Sequence, residues 1–468
     1  MMKHVKLSRI AVVMLLPSFL LTFCTKKQDW NQFRGPGGDM SFTSSNLPEE
    51  WGKGKNIKWV TGLDGTGYSS PVVWGNKVFI TSAFPEKINP APQRPMGPPP
   101  QGAQGPQPGG QAVAGPPQPG QGAPQQVQGP PLPEVRDTSY LTESYRWELI
   151  CYDLNSGKEI WRQVAYQGVP RAAKNPNSTY ACETPVTDGN RIIAYFGMNG
   201  LYCYDLDGKL LWQKDLGAYY TQKGWGTGSS PVIYNDVVFI QFDNEENSSL
   251  IALDPATGNE KWRVARDEKT TYSTPYIWKN KVRTEIVTCG KTARSYDPET
   301  GKLLWDLKLG GEQVIPSPTG SDELLFIGNA GGRETKSVLY AVKAGTEGEV
   351  AWKSEESGLA NPSPLLYNGL LYVVGSRGEI AVLDASAGNL KYQKRINGIG
   401  GCWASPWASN GNIYFLDEKG ATRVFKAGVA YEQVAENTLE GNKFWASVAI
   451  TADSYIFRAG DKLYCIKN

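Results

Sequence analysis

Five aromatic residues and one acid recur at related places in this 468-residue sequence and form its best candidate for handling a ligand. Tyr68, Tyr272, Trp403 and Trp445 each stand three residues before a repeated slot held by Pro71, Pro275, Pro406 and Val448. Trp225 lies slightly further upstream of Pro231, and Glu183 is two residues before Pro185. Aromatic faces beside one carboxylate suit a flat or sugar-like ring. The same rings could instead fill a channel as packing, which is the simpler account. No nucleophile–base pair accompanies them. The single histidine is His4, near the chain start, so a Ser-His-Asp triad, an HExxH zinc site and a CxxCH haem attachment are all excluded.

The elements that must position these residues come from a repeat. The Pro slot recurs at 71, 185, 231, 275, 318, 364 and 406, with Val448 closing the series. From Pro185 onward the spacings are 46, 44, 43, 46, 42 and 42 residues, the period of a four-stranded propeller blade. A hydroxyl precedes every slot: Ser70, Thr184, Ser230, Thr274, Ser317, Ser363, Ser405 and Ser447. Each unit continues as two apolar strands, a third such as Leu250–Asp254, a turn that commonly contains Gly, and a fourth carrying Trp, which Tyr392 and Val434 replace later. Gly supplies the positive φ of that turn. Trp161, Trp212, Trp262, Trp305 and Trp352 would cover the face of the neighbouring blade.

The last repeat, about Trp445–Ile466, contains three strands. Asn56–Gly62, with Trp59, reads as a fourth strand lacking its first three. Joining them predicts an all-β, eight-bladed β-propeller of four-stranded antiparallel blades over residues 56–468, closed by the N-terminal strand. First strands of a propeller line the central channel, so the aromatic set and Glu183 should ring one mouth.

Residues 1–23 read as a signal peptide. Lys3, Lys6 and Arg9 precede a 14-residue apolar run, Ile10–Phe23, too short to span a bilayer. Leu21-Thr22-Phe23-Cys24 resembles a lipoprotein cleavage box, with Phe23 where a small residue is usual. Lipidation at Cys24 is therefore expected, with residues 24–55 as tether and leader. Such a chain is periplasmic and anchored by lipid to the outer membrane. The balance of 48 basic against 46 acidic residues, net +2, argues against nucleic acid as a partner.

Blade one is interrupted: Pro71 and Pro185 are 114 residues apart, and residues 84–146 read as an insertion. Within it, residues 89–133 hold 15 of the 32 prolines, a composition that cannot bury a core. Cys151, Cys203 and Cys465 share one small-residue core slot and read as inert thiols; no disulfide is expected. Asp243–Asn247 (DNEEN) reads as a solvated hairpin tip rather than a Ca²⁺ loop.

The segments Asp254–Trp262 (DPATGNEKW) and Asp297–Trp305 (DPETGKLLW) resemble the tryptophan-docking repeat of quinoproteins. That repeat is shared by PQQ-dependent alcohol dehydrogenases and by the non-enzymatic BamB lipoproteins of outer-membrane barrel assembly. The leader Trp30–Pro36 (WNQFRGP) is similar to the start of secreted PQQ-like repeat proteins. In the enzymes, the resemblance implies PQQ on the axis with Ca²⁺, a catalytic Asp and a disulfide between adjacent cysteines. This sequence has no Cys-Cys pair, and no calcium set is matched by motif. The expectation is a single-copy, non-catalytic scaffold without metal or cofactor that binds an envelope protein partner. The alternatives are a PQQ-dependent oxidoreductase with Ca²⁺ on the axis and a carbohydrate- or peptide-binding propeller.

Overall fold

Four short apolar runs make a sheet with two greasy faces, and such a sheet hides both only by stacking between copies of itself. Ile192 and Ala194 of one strand pack with Val72 and Phe79 of the preceding blade. Ile193, between them, packs with Val238 and Ile251 of the following one. The strand's period of two thus feeds both interfaces at once.

The structure, a computed structural model, describes residues 29–42, 44, 46–86, 141–311, 314–332 and 335–468. The signal segment, Cys24 and the proline-rich stretch 89–133 lie outside the described residues. Among the described residues, 32 strands form eight four-stranded antiparallel sheets arranged as the blades of a ring. Blade one comprises Val72–Trp74, Lys77–Pro85, Tyr145–Asp153 and Glu159–Gly168. Blades two to seven begin at Val186, Val232, Tyr276, Thr319, Leu365 and Trp407. Blade eight combines Ala449–Ile450, Ser454–Arg458 and Lys462–Lys467 with the N-terminal strand Ile57–Gly62, whose Trp59 faces Cys465. The predicted closure is therefore the one observed. The excursion from blade one starts later than expected, because its central hairpin stays paired out to Pro85 and Tyr145.

The repeated hydroxyls tie neighbouring first strands together. The N–H of Ser70 donates to Thr184 Oγ1 at 3.0 Å, and that of Thr184 to Ser230 Oγ at 3.0 Å. The pattern continues from Ser230 to Thr274, Ser317, Ser363, Ser405 and Ser447. All eight are buried. The first strands lie too far apart around the axis to share a ladder, so a short side chain satisfies an N–H that would otherwise be orphaned.

The outer edge uses Trp and Gly. The indole N–H of Trp59 donates to Leu154 O of blade one, Trp161 to Leu206 O, Trp212 to Pro255 O, Trp262 to Pro298 O and Trp352 to Ala385 O. Each ring lies over the turn Gly of the next blade. A Cβ at Gly157 would fall 2.6 Å from Trp59, and one at Gly258 2.7 Å from Trp212. These glycines combine positive φ with the close approach of an indole. Trp305 departs from the series: its N–H donates to the buried Glu285 of its own blade at 2.7 Å.

Candidate functional site

The leader determines which end of the channel is open. Trp30 pairs with Val73 of blade one through two backbone hydrogen bonds of 2.8 Å. Asn31 O accepts from Thr187 N, and Gln32 Oε1 from Ile233 N. Arg34 donates to Pro318 O at 2.7 Å and Pro364 O at 2.8 Å. Met40 and Phe42 bond the backbone of Ala408, and Ser44 donates to Ala452 O. The segment thus passes beneath blade after blade, with Trp30, Met40, Leu47 and Trp51 buried. Phe33 reaches the axis, where it lines a 120 Å³ cavity together with the ring of hydroxyls.

At the opposite end the mouth is open. A cup of about 790 Å³ is lined by Tyr68, Trp225, Tyr272, Trp403 and Trp445, five of the six candidate residues. Each sits just upstream of a first strand, which places it on one rim. Trp403 and Trp445 stack with centroids 4.1 Å apart and planes 20° apart. Tyr68 packs against the other partner of this pair, 4.7 Å from Trp445. The rings line this cup, and all but Trp225 also line the axial cavity beneath it; the leader with Phe33 stops the far end.

Glu183 is not in the cup. It is buried and borders a separate 30 Å³ cavity with Lys174, Asn199 and Thr227. Thr227 Oγ1 donates to its carboxylate. Burial raises its pKa from 4.5 to about 7, because a charged carboxylate there loses its hydration.

Sequence reasoning confined to the Pro slot missed the rest of the wall. Arg377 and Glu418 come from equivalent turns between second and third strands of blades six and seven. Such turns reach the same rim, and that topological position was the available signal. Trp445 Nε1 donates to Glu418 Oε2 at 3.2 Å, and Gly401 N donates to its other oxygen. Lys443 Nζ lies 4.9 Å from the Trp445 ring centroid.

Elsewhere the chemistry-bearing residues are absorbed by structure. Burial pushes the Cys151 and Cys203 thiols up to about 12 and that of Cys465 to about 11; the six described cysteines are free. The Asp243–Asn247 turn is solvated at Glu246 and Asn247, as expected, but not at its start. Asp243 is buried in an ion pair with Arg266 at 2.8 Å, and Asn244 is buried too. Among the described residues no three His, Cys, Asp or Glu side chains converge as metal ligands.

Ring, blade count and docking tryptophans define the class: an eight-bladed β-propeller of the quinoprotein-like type. The family model described as outer membrane protein assembly factor BamB matches residues 112–287 and 283–467, and the chain belongs to that family. No curated protein matches it. BamB from Moraxella catarrhalis is similar in fold at 13% identity and TM-score 0.52, covering 68% of this chain and 91% of its own. A europium-containing methanol dehydrogenase is similar at 11% and 0.56, covering 94% of this chain and 98% of its own. A quinohemoprotein alcohol dehydrogenase from Pseudomonas putida HK5 is similar at 10% and 0.58, with 94% and 80% covered. Likeness at such identities concerns the fold, and one fold carries many functions.

Proposed function

We infer that this protein is a non-catalytic propeller of the bacterial envelope, lipid-anchored through Cys24 in the periplasm, that serves as a scaffold for a protein partner. The observation that carries this reading is membership of the BamB family across both halves of the propeller. The spending of chemically capable residues supports it. Glu418 is engaged by Trp445 and Gly401, burial holds Cys151, Cys203 and Cys465 as thiols, and Asp243 and Arg266 neutralise each other in the interior. A cup walled by rings without a converging donor set is a binding surface before it is a reaction centre.

The test is to isolate the full-length chain from envelopes of the bacterium that carries it and quantify the outer-membrane barrel-assembly components that come with it. Stoichiometric recovery of those components supports the scaffold. In parallel, the purified protein is given PQQ with Ca²⁺ and a dye acceptor. One quinone bound per chain, with oxidation of an alcohol or sugar, would replace the scaffold reading with the oxidoreductase one.

A further inference from the structure

Independently of the protein partner, we propose that the axial cup is a glycan-binding site that receives a pyranose-containing oligosaccharide. Three features of the wall select this ligand class. The first is a platform. Trp403 stacks on Trp445, lines the cup and keeps 38% of its own surface exposed, so ring surface remains for whatever enters. The C–H groups on one face of a pyranose carry slight positive charge and match the negative face of an indole.

The second feature is the polar complement around it. Two of the three charged side chains in the wall are already occupied: Glu418 accepts from Trp445 and Gly401, and Lys443 donates to Asn177 O while lying over Trp445. What remains is suited to hydroxyls. Asn175 and Asn361 line the wall, and the guanidinium of Arg377 has no ion-pair partner among the described residues. Tyr272 adds a further ring to the wall. The third feature is what is missing: Ile315 is the one branched aliphatic side chain in the described wall. A groove for the aliphatic anchors of an amphipathic peptide needs aliphatic contact area, and this one offers rings and amides instead.

The far end is stopped by the leader and Phe33, so the sugar enters as a chain end or a short exposed segment rather than threading the ring.

Full-length protein is titrated with chitohexaose, cellohexaose and maltohexaose, following tryptophan fluorescence and heat. At least one should bind saturably, one per chain. Trp403→Ala should weaken it by at least about tenfold without moving the melting temperature, since the ring is partly exposed and rests on a partner that stays. Arg377→Ala, in a turn, should weaken it by roughly threefold to tenfold. Ile160→Ala, exposed on the outer strand of blade one, serves as the unchanged control. Should Trp403→Ala melt early, Arg377→Ala and Asn361→Ala decide the matter. The proposal is overturned if none of the three sugars binds at about 5 mM. It is equally overturned if binding survives these substitutions, or if a proline-rich peptide or PQQ occupies the cup and the sugars do not.

Discussion

The indole of Trp59 lies on Gly157, so a side chain from the first strand of the chain caps the turn of blade one from its place in blade eight. Its N–H donates to Leu154 O at 2.9 Å, and Thr61 Oγ1 donates to Gly157 O beside it. The last interface of the ring therefore uses the same device as the internal ones. Replacing Gly157 by Ala brings a Cβ to within 2.6 Å of that ring at a φ of +68°. The expected cost is about 2–4 kcal/mol in urea unfolding. Gly75→Ala, at φ +59° with nothing within 4 Å, should cost only about 1 kcal/mol of backbone strain. Equal losses at the two sites would mean that indole docking adds nothing.

The hydroxyl ring makes a graded prediction. Ser230→Ala removes the acceptor for Thr184 N–H and leaves a buried donor unanswered, at about 1–2 kcal/mol. Ser230→Thr keeps the oxygen, and Thr already fills the slot at 184 and 274, so it should be close to neutral. Denaturation midpoints of the two variants should separate clearly; coincidence would deny the ring a role in stability.

Arg34 tests whether the leader is part of the fold. Its guanidinium is buried and holds carbonyls of two adjacent blades, and burial lowers its pKa to about 10. Arg34→Met preserves much of the volume but abandons both carbonyls, for an expected loss of about 2–4 kcal/mol. Limited proteolysis should then cut between residues 29 and 55 before the blades. A leader that stays resistant in the variant would show that its other contacts suffice.

Glu183 gives a pH signature. Burial lifts its folded-state pKa from 4.5 to about 7, so the folded protein holds this proton more tightly than the unfolded chain. Stability is therefore lost as pH rises through that window and the loss is complete above it. Glu183→Gln keeps an acceptor for Thr227 and removes the titration. Its advantage over the parent should grow from near zero at about pH 4 to about 3 kcal/mol at about pH 8. Parallel stability curves across this range would falsify the assignment.

The fold was legible because a propeller repeats its demands. A hydroxyl before each slot, a Gly at most outer turns and a Trp beyond it in six of the eight blades recur since each blade must solve the same contacts. Trp59 without a complete blade around it was enough to predict closure. The site was less legible. The Pro slot revealed the five aromatics of the rim, but rotation of a side chain about its strand is not periodic information, and Glu183 turned into a separate cavity. Arg377 and Glu418 lie in turns whose sequences differ from blade to blade, so only the place of those turns in the repeat, and no residue type, marked them. Asp243 looked solvent-facing because its partner, Arg266, comes from the far side of the same blade. Phe33 could not be placed from sequence, because the leader has no counterpart in any repeat.

Closure of blade eight also governs the order of assembly. The strand Ile57–Gly62 emerges from synthesis long before Lys462–Lys467, to which it must pair. Seven blades can form locally, each from strands close in the chain, while the eighth waits for both ends to meet. That final pairing has the longest sequence separation in the ring and so the largest entropic delay. Until it happens, blades one and eight each present a bare face, and the leader has no complete ring to line. The nascent protein is thus most exposed to wrong partners at the last step, and a chain truncated by even its final strand would remain an open arc.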